Sequence, residues 1–349
     1  MDAPKRFEQM EDRSLALDAA GHPHIAYGAD FLYYAYHDST QWHIETVDAS
    51  GGVGYTAALA LDISGHPHIA YYNAIAAGIR YAYHDGTTWR HQTVDTGRVD
   101  GTLGLSLDAV GLPHLTYAEV ISSTESHLKY VYLDGTAWHY QVIEGNGRLG
   151  WHSSLALDSA GRPHISYGAD LPAIPDCQLR HAWYDGTTWQ VETVTHTLAM
   201  YTSLAVDTDG YARITYYDGQ LRYAYFDGST WQFSTVDNSA NTGEYSSLRL
   251  DAAGRPRVSF YRDVDNEICY AGHDGSTWQV MTVDEVWSGS GFTSLALDAQ
   301  GRPCIAYYDF TNRDLKYACR DGGGPHICRW LPRGRRASGA INGWTIGAG

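Results

Sequence analysis

Cysteine is scarce in this chain, and what there is follows no useful pattern. The five residues, Cys177, Cys269, Cys304, Cys319 and Cys328, are odd in number, irregularly spaced and confined to the second half. None forms a Cys-x-x-Cys pair, so neither a zinc site nor a disulfide framework is expected. Cys304 reads as a small buried residue. Positive charge is also short: 24 Lys and Arg stand against 40 Asp and Glu, a formal net charge of −16. That argues against nucleic acid, whose affinity comes from cations neutralising phosphates, and equally against an anionic membrane surface. No apolar run approaches the roughly 20 residues that span a bilayer. The N-terminal Met1-Asp2-Ala3-Pro4-Lys5-Arg6 has no apolar stretch of a signal peptide. The expected location is cytoplasmic, or secreted if a leader was removed.

Aromatic residues are plentiful, with 27 Tyr and 11 Trp, and they recur in register. Residues 14–48 contain four short apolar or alternating runs separated by turn formers, the pattern of four strands with tight connections. The leucine of the first run returns as Leu15, Leu59, Leu105, Leu155, Leu204, Leu248 and Leu295. The tryptophan of the fourth returns as Trp42, Trp89, Trp138, Trp189, Trp231 and Trp278, and Pro325 stands near where a seventh would fall. Four strands per roughly 40–50 residues is the period of a β-propeller blade, and one copy cannot bury both its faces alone. The fold expected is all-β, a seven-bladed propeller of four-stranded antiparallel blades. Blades start near 14, 58, 104, 154, 203, 247 and 294 and run to 327. Residues 1–13 precede them, and Arg6-Phe7-Glu8-Gln9-Met10 is a candidate outer strand for the seventh blade, with His326-Ile327 as the local alternative. Residues 328–349 lose the pattern and read as a disordered or non-native tail.

The four connections of each copy differ in kind. The first is nearly constant (Asp18-Ala-Ala-Gly-His-Pro23, Asp62-Ile-Ser-Gly-His-Pro67), as is the third (Asp85-Gly-Thr-Thr-Trp89, Asp134-Gly-Thr-Ala-Trp138). Asp and Gly there supply side-chain-to-backbone bonds and positive φ. The second and fourth vary in length and chemistry, as Tyr217-Asp218-Gly219-Gln220 against residues 168–179 shows. In an up-and-down blade the two kinds emerge on opposite sides. One face is a repeated base and the other is individually tailored, so a site belongs on the tailored face.

The Asp85-Gly86-Thr87-Thr88-Trp89 run resembles the Asp-box of sialidase-type propellers, although here Asp adjoins Gly directly. The resemblance covers residues 14–325 and implies a propeller with the box in a structural role. It does not extend to the sialidase arginine triad, for which Arg13 is the lone candidate at a strand start.

Four groups of residues could carry function. His24, His68, His114 and His164 share one strand position with Arg213, Arg257 and Cys304; ligands of a metal ring or locks within each blade are the two readings. Aromatic and polar pairs end the second strands: Tyr72 with Asn73, Tyr217 with Asp218, Tyr308 with Asp309, and Asp30, Asp170 and Asp263 one residue later in their copies. A ring that stacks on a pyranose beside oxygens that accept its hydroxyls is what sugar binding requires; packing between blades with the acid capping a turn is the alternative. Stepping back from the Ser/Thr pairs of the first strands gives Asp12, Thr56, Thr102, His152, Tyr201, Tyr245 and Phe292, with Trp151 adjacent. These describe an aromatic cup at the channel mouth in which His152, Tyr201 and Tyr245 could act as acid and base. Finally, Asp263-Val264-Asp265-Asn266-Glu267 resembles a weak calcium loop; no other cofactor is expected. The function expected is a binding module for carbohydrate, with a protein or peptide ligand as alternative. An enzyme acting on glycans, a lyase or hydrolase using His152, is the rival.

Overall fold

The computed structural model describes residues 7–9, 13–29, 31–171, 177–286, 291–309, 314–320 and 344–348. Every element among the described residues is a strand, and the repeat sets where most begin and end. In the second copy the strands are Val53–Leu61, Pro67–Asn73, Gly78–His84 and Trp89–Thr96, paired antiparallel in sequence order. Pro opens the second strand, where its missing N–H is harmless, and Trp opens the fourth. The third and fourth copies share one eight-stranded sheet only through a single parallel bridge, Ser126 to Arg148. The chain is thus all-β, built of four-stranded antiparallel units.

Neighbouring units are stapled by bonds that recur around an axis. The first strand of each unit is a sheet edge whose N–H groups need partners. Ser154, Ser203 and Ser247 each accept, through the hydroxyl, the backbone N–H of the next unit's leucine: Leu204 at 3.1 Å, Leu248 at 2.9 Å and Leu295 at 3.0 Å. Ser294 of the last unit does the same for Leu15 of the first, at 2.9 Å. The third-strand tyrosine meets the next unit's tryptophan edge to face, Tyr81 with Trp138 at 5.6 Å and Tyr223 with Trp278 at 5.4 Å. Tyr317 with Trp42 repeats this between last and first, at 5.8 Å. First-strand segments of all seven copies line a central cavity of about 540 Å³ on the base side. Arg13 reaches across it to the carbonyl of Leu204.

Three expectations need correction at the seam. Phe7–Gln9 pairs with the second strand of the first unit, Pro23–Ala29, so it continues that unit's own first strand and adds no outer strand to the seventh. The seventh unit's fourth strand is Trp344–Ala348, inside the segment read as a tail, with Trp344 opposite Arg320 as Trp278 is opposite His273. His326-Ile327 and Pro325 lie outside the described residues. Cys304 is not merely a small buried residue: it forms a disulfide with Cys319, its partner across the second and third strands.

Candidate functional site

The base face is built from caps. In the third loop, Asp85 Oδ1 accepts the N–H groups of Thr87 and Thr88, both at 2.9 Å, and the Thr87 hydroxyl at 2.6 Å. Gly86 supplies the φ of +91° that the turn requires. The Thr87 hydroxyl, the Arg90 side chain and the two amides hold this carboxyl below the usual carboxylate range. Asp134 and Asp227 make the same set of bonds.

The shared histidine position is a lock. Nδ1 of His24, His68 and His114 meets the hydroxyl of Tyr34, Tyr81 and Tyr130 in the same unit, and Nε2 faces the first-loop Asp at 3.7–3.9 Å. Arg213 and Arg257, at the same position, bind that loop's Asp207 and Asp251 directly. Burial depresses the pKa of all three histidines, so they serve as neutral hydrogen-bonding groups. Among the described residues no cluster of three metal-ligating side chains occurs.

The aromatic and polar pairs divide. Asn73 is buried, and its Oδ1 accepts the Ala76 N–H at 2.8 Å. Tyr308 and Asp309 are buried as well, and Asp309 sits 2.8 Å from Lys316. Asp218 is held by Arg222 at 3.0 Å. These four are consumed by turns, packing and ion pairs, which removes the repeated sugar-contact pattern expected from sequence. Tyr72 and Tyr217 remain half-exposed on the tailored face. Asp30 lies outside the described residues. In the loop read as a calcium site, the positive charge is Arg262, 2.8 Å from Glu267 and 3.9 Å from Asp265.

At the axis, His152, Tyr201, Tyr245 and Phe292 are brought together by a device the sequence did not announce. A one-residue bulge interrupts the first strand of units four, five and six, between the paired residues Trp151 and Ser154, Met200 and Ser203, Glu244 and Ser247. In each bulge the residue of interest is left-handed: His152, Tyr201 and Tyr245 all have φ of +52°. That conformation costs a non-glycine residue roughly 1–2 kcal/mol, and it is held from the next unit. Thr202 Oγ1 donates to the His152 carbonyl at 2.6 Å, Ser246 Oγ to that of Tyr201 at 3.4 Å, and Thr293 Oγ1 to that of Tyr245 at 3.0 Å. Backbone held in such strain by its surroundings concentrates at functional sites.

The bulges place three rings in a staircase that Phe292 of the next unit completes. Centroids of His152 and Tyr201, and of Tyr201 and Tyr245, are 4.3 Å apart, and those of Tyr245 and Phe292 4.1 Å. Trp151 flanks His152 at 5.9 Å and lies under the guanidinium of Arg148, itself paired with Asp100. Gly168 allows this: a Cβ there would stand 3.1 Å from the Trp151 ring and 2.6 Å from the Ala199 carbonyl. Tyr217 approaches Tyr201 at 6.2 Å. Two polar atoms of the cup, His152 Nδ1 and Trp151 Nε1, are buried without a hydrogen-bond partner. Asp12, the first unit's contribution, lies outside the described residues.

Acid–base chemistry fits this cup poorly. Burial lowers the His152 pKa to about 4, against a smaller opposing effect of Asp100. Burial, reinforced by the hydrogen bond to Tyr245, raises that of Tyr201. Efficient proton transfer wants both near the working pH, and here they are driven apart, leaving a neutral imidazole and a neutral phenol. Such groups recognise hydroxyls.

No protein-family pattern and no characterised protein matches the sequence. Structural similarity is broad. The chain superposes on a six-bladed β-propeller lectin of Aleuria aurantia, whose description records fucose recognition, with a TM-score of 0.54 at 14% identity, covering 85% of this chain and 96% of the lectin. AofleA from Arthrobotrys oligospora matches with a TM-score of 0.54 at 13% identity over 92% and 93%. A protein of unknown function from Dyadobacter fermentans matches at 0.54 and 12%, over 77% and 91%. These likenesses show the propeller fold.

Proposed function

We propose that the chain is a seven-bladed β-propeller that binds carbohydrate at the axial cup of its variable face. The blade count is supported by the seven first-strand segments around one cavity and by the serine-to-leucine bond that repeats from the last copy to the first. The observation that carries the ligand class is the half-exposed staircase of His152, Tyr201, Tyr245 and Phe292 beside two unpartnered buried polar atoms. Such rings offer an apolar face to a pyranose, while an indole N–H and an imidazole take its oxygens and hydroxyls. Lectins among the proteins of similar fold support the class without choosing the sugar. One central site replaces the ring of equivalent sites, because Asn73, Asp218 and Asp309 are already engaged.

A glycan array probed with the purified protein, in calcium and in chelator, tests this. Binding to a coherent sugar family is expected, unchanged by chelator and reduced at least tenfold in a Tyr201→Ala, Tyr245→Ala double variant that keeps its thermal midpoint. A blank array, or binding that the double variant retains in full, would overturn the reading.

A further inference from the structure

The joint between the fourth and fifth units departs from the pattern of the others on the base side. Tyr34, Tyr81, Tyr130, Tyr223, Tyr270 and Tyr317 occupy one third-strand position in six copies; the fourth copy has His181 there. His181 Nε2 lies 3.1 Å from His164 Nδ1, taking the place of the usual tyrosine hydroxyl. Its Nδ1 faces Glu192 Oε1 at 3.2 Å. A neutral His181 therefore carries its hydrogen on Nδ1, toward the carboxylate, and accepts at Nε2 from His164.

The replacement has two consequences. In four units the fourth-strand tryptophan donates its indole N–H to the fourth strand of the preceding unit: Trp89 to Glu45 at 2.8 Å, Trp138 to Gln92 at 2.9 Å, Trp189 to Gln141 at 2.7 Å, Trp278 to Ser234 at 3.1 Å. Trp42, at the seam, makes no such bond. The corresponding acceptor for Trp231 is Glu192, which is turned to His181, and Trp231 Nε1 is buried without a partner. The shorter imidazole also leaves space. A cavity of about 300 Å³ lies there, walled by Trp183, Tyr211, Phe226 and Trp231 and edged by the carboxylates of Asp185, Glu192 and Asp209. The cation beside it, Arg162, is paired with Asp158 at 2.7 Å.

We infer that this cavity is a second binding site, on the face opposite the cup, for a single neutral hydroxylated ring such as a pyranose. The volume is at the lower end for small-molecule pockets and suits one ring. Tryptophan and phenylalanine faces take its apolar side. The unpartnered Trp231 N–H calls for an acceptor oxygen, which an ammonium ligand lacks, and the three carboxylates accept hydroxyls and repel an anion. The site is independent of the axial cup and stands whether or not the cup binds sugar.

The test follows the indole N–H resonances of the full chain labelled with ¹⁵N-tryptophan, with Trp231 assigned from a Trp231→Phe spectrum. Glucose, galactose, mannose, fucose and N-acetylglucosamine are titrated to about 100 mM, where a millimolar dissociation constant saturates the site. The expected result is a saturable shift of the Trp231 signal by at least one of them. It is abolished in His181→Tyr, which restores the tyrosine of the other units and fills the cavity, and it persists in the Tyr201→Ala, Tyr245→Ala variant. No shift with any sugar, a shift only with tetramethylammonium, or a sugar shift undiminished in a folded His181→Tyr protein would each overturn the inference. A blank glycan array with an intact Trp231 shift would remove the cup and leave this site.

Discussion

The two faces of the ring are built from the same strands by opposite rules. On the base, a short list of side chains repeats the same bonds: a first-loop Asp bound to the histidine or arginine behind it, a third-loop Asp capping its own turn. On the variable face the loops differ, yet a repeated network lies beneath them. Tyr71 donates to Asp48 of the preceding unit at 2.7 Å, Tyr307 to Asp284 at 2.8 Å, Tyr167 to Glu144 at 2.5 Å. Variation is therefore confined to the layer above a repeated set of joints, and the axial bulges are where that layer turns inward. The joint of units four and five shows that the base can also be tailored, by one substitution at a lock.

The largest effect should come from cutting the buried network under the variable face. Lys316 Nζ lies 2.8 Å from both Asp284 and Asp309, and the side chain is largely buried. Lys316→Met leaves two carboxylates facing each other without a cation. Removing one partner of a buried pair costs about 3–5 kcal/mol, to be read as a shift of the urea midpoint at unchanged slope. A loss under about 1 kcal/mol would mean that the layer beneath the loops is as dispensable as the loops.

An intermediate effect belongs to pH, and it sharpens the contrast because the base locks carry it. Burial holds His24, His68 and His114 below their ordinary value, and His164 at about 3. A histidine with a folded pKa below its unfolded one binds its proton preferentially in the unfolded chain. Stability is therefore full above about pH 6.5 and falls as pH drops toward the folded value. His164 alone contributes a loss of roughly 2 kcal/mol between pH 6.5 and 5. Urea midpoints at pH 7.5 and 5 measure it, before the capping carboxylates begin to protonate. His164→Gln should flatten the dependence.

Much of this architecture was legible because the repeat is a physical constraint written seven times. Leucine marks the same strand position in all seven copies and tryptophan in six, and the split into constant and variable loops separated the faces. The cup was found by alignment, although its left-handed bulges were not: nothing in Tyr201 or His152 as residue types asks for positive φ. Trp344-Thr-Ile went unread as the seventh fourth strand because it stands 19 residues beyond Pro325, where the period expects it. The disulfide was hidden by spacing but present in the alignment. Cys304 and Cys319 stand where His68 and Tyr83 stand, and those two are cross-strand partners. Asn73 and Asp309 misled because a polar residue at a loop mouth looks the same whether it faces a ligand or caps a turn.

The smallest effects separate the faces most directly. Asp62 Oδ1 accepts the N–H groups of Ser64 and His66, both at 2.8 Å, and its other oxygen faces His68. Asp62→Ala deprives two loop amides of their acceptor and should cost about 1–2 kcal/mol, the usual value of a capping side chain. Thr124, in the exposed second loop of the third unit, makes two long bonds within the loop, its N–H to Ser122 Oγ at 3.3 Å and its hydroxyl to the same oxygen at 3.5 Å. Thr124→Ala should change stability by less than about 0.5 kcal/mol. The pair is measured in one urea series at pH 7.5, above the histidine transition. Equal losses would mean that the variable loops are structural too, and the assignment of recognition to that face would lose its physical basis. A clear loss at Asp62 with none at Thr124 places the structural constraint where the sequence is constant, and keeps the proposed assignment of recognition to the other face.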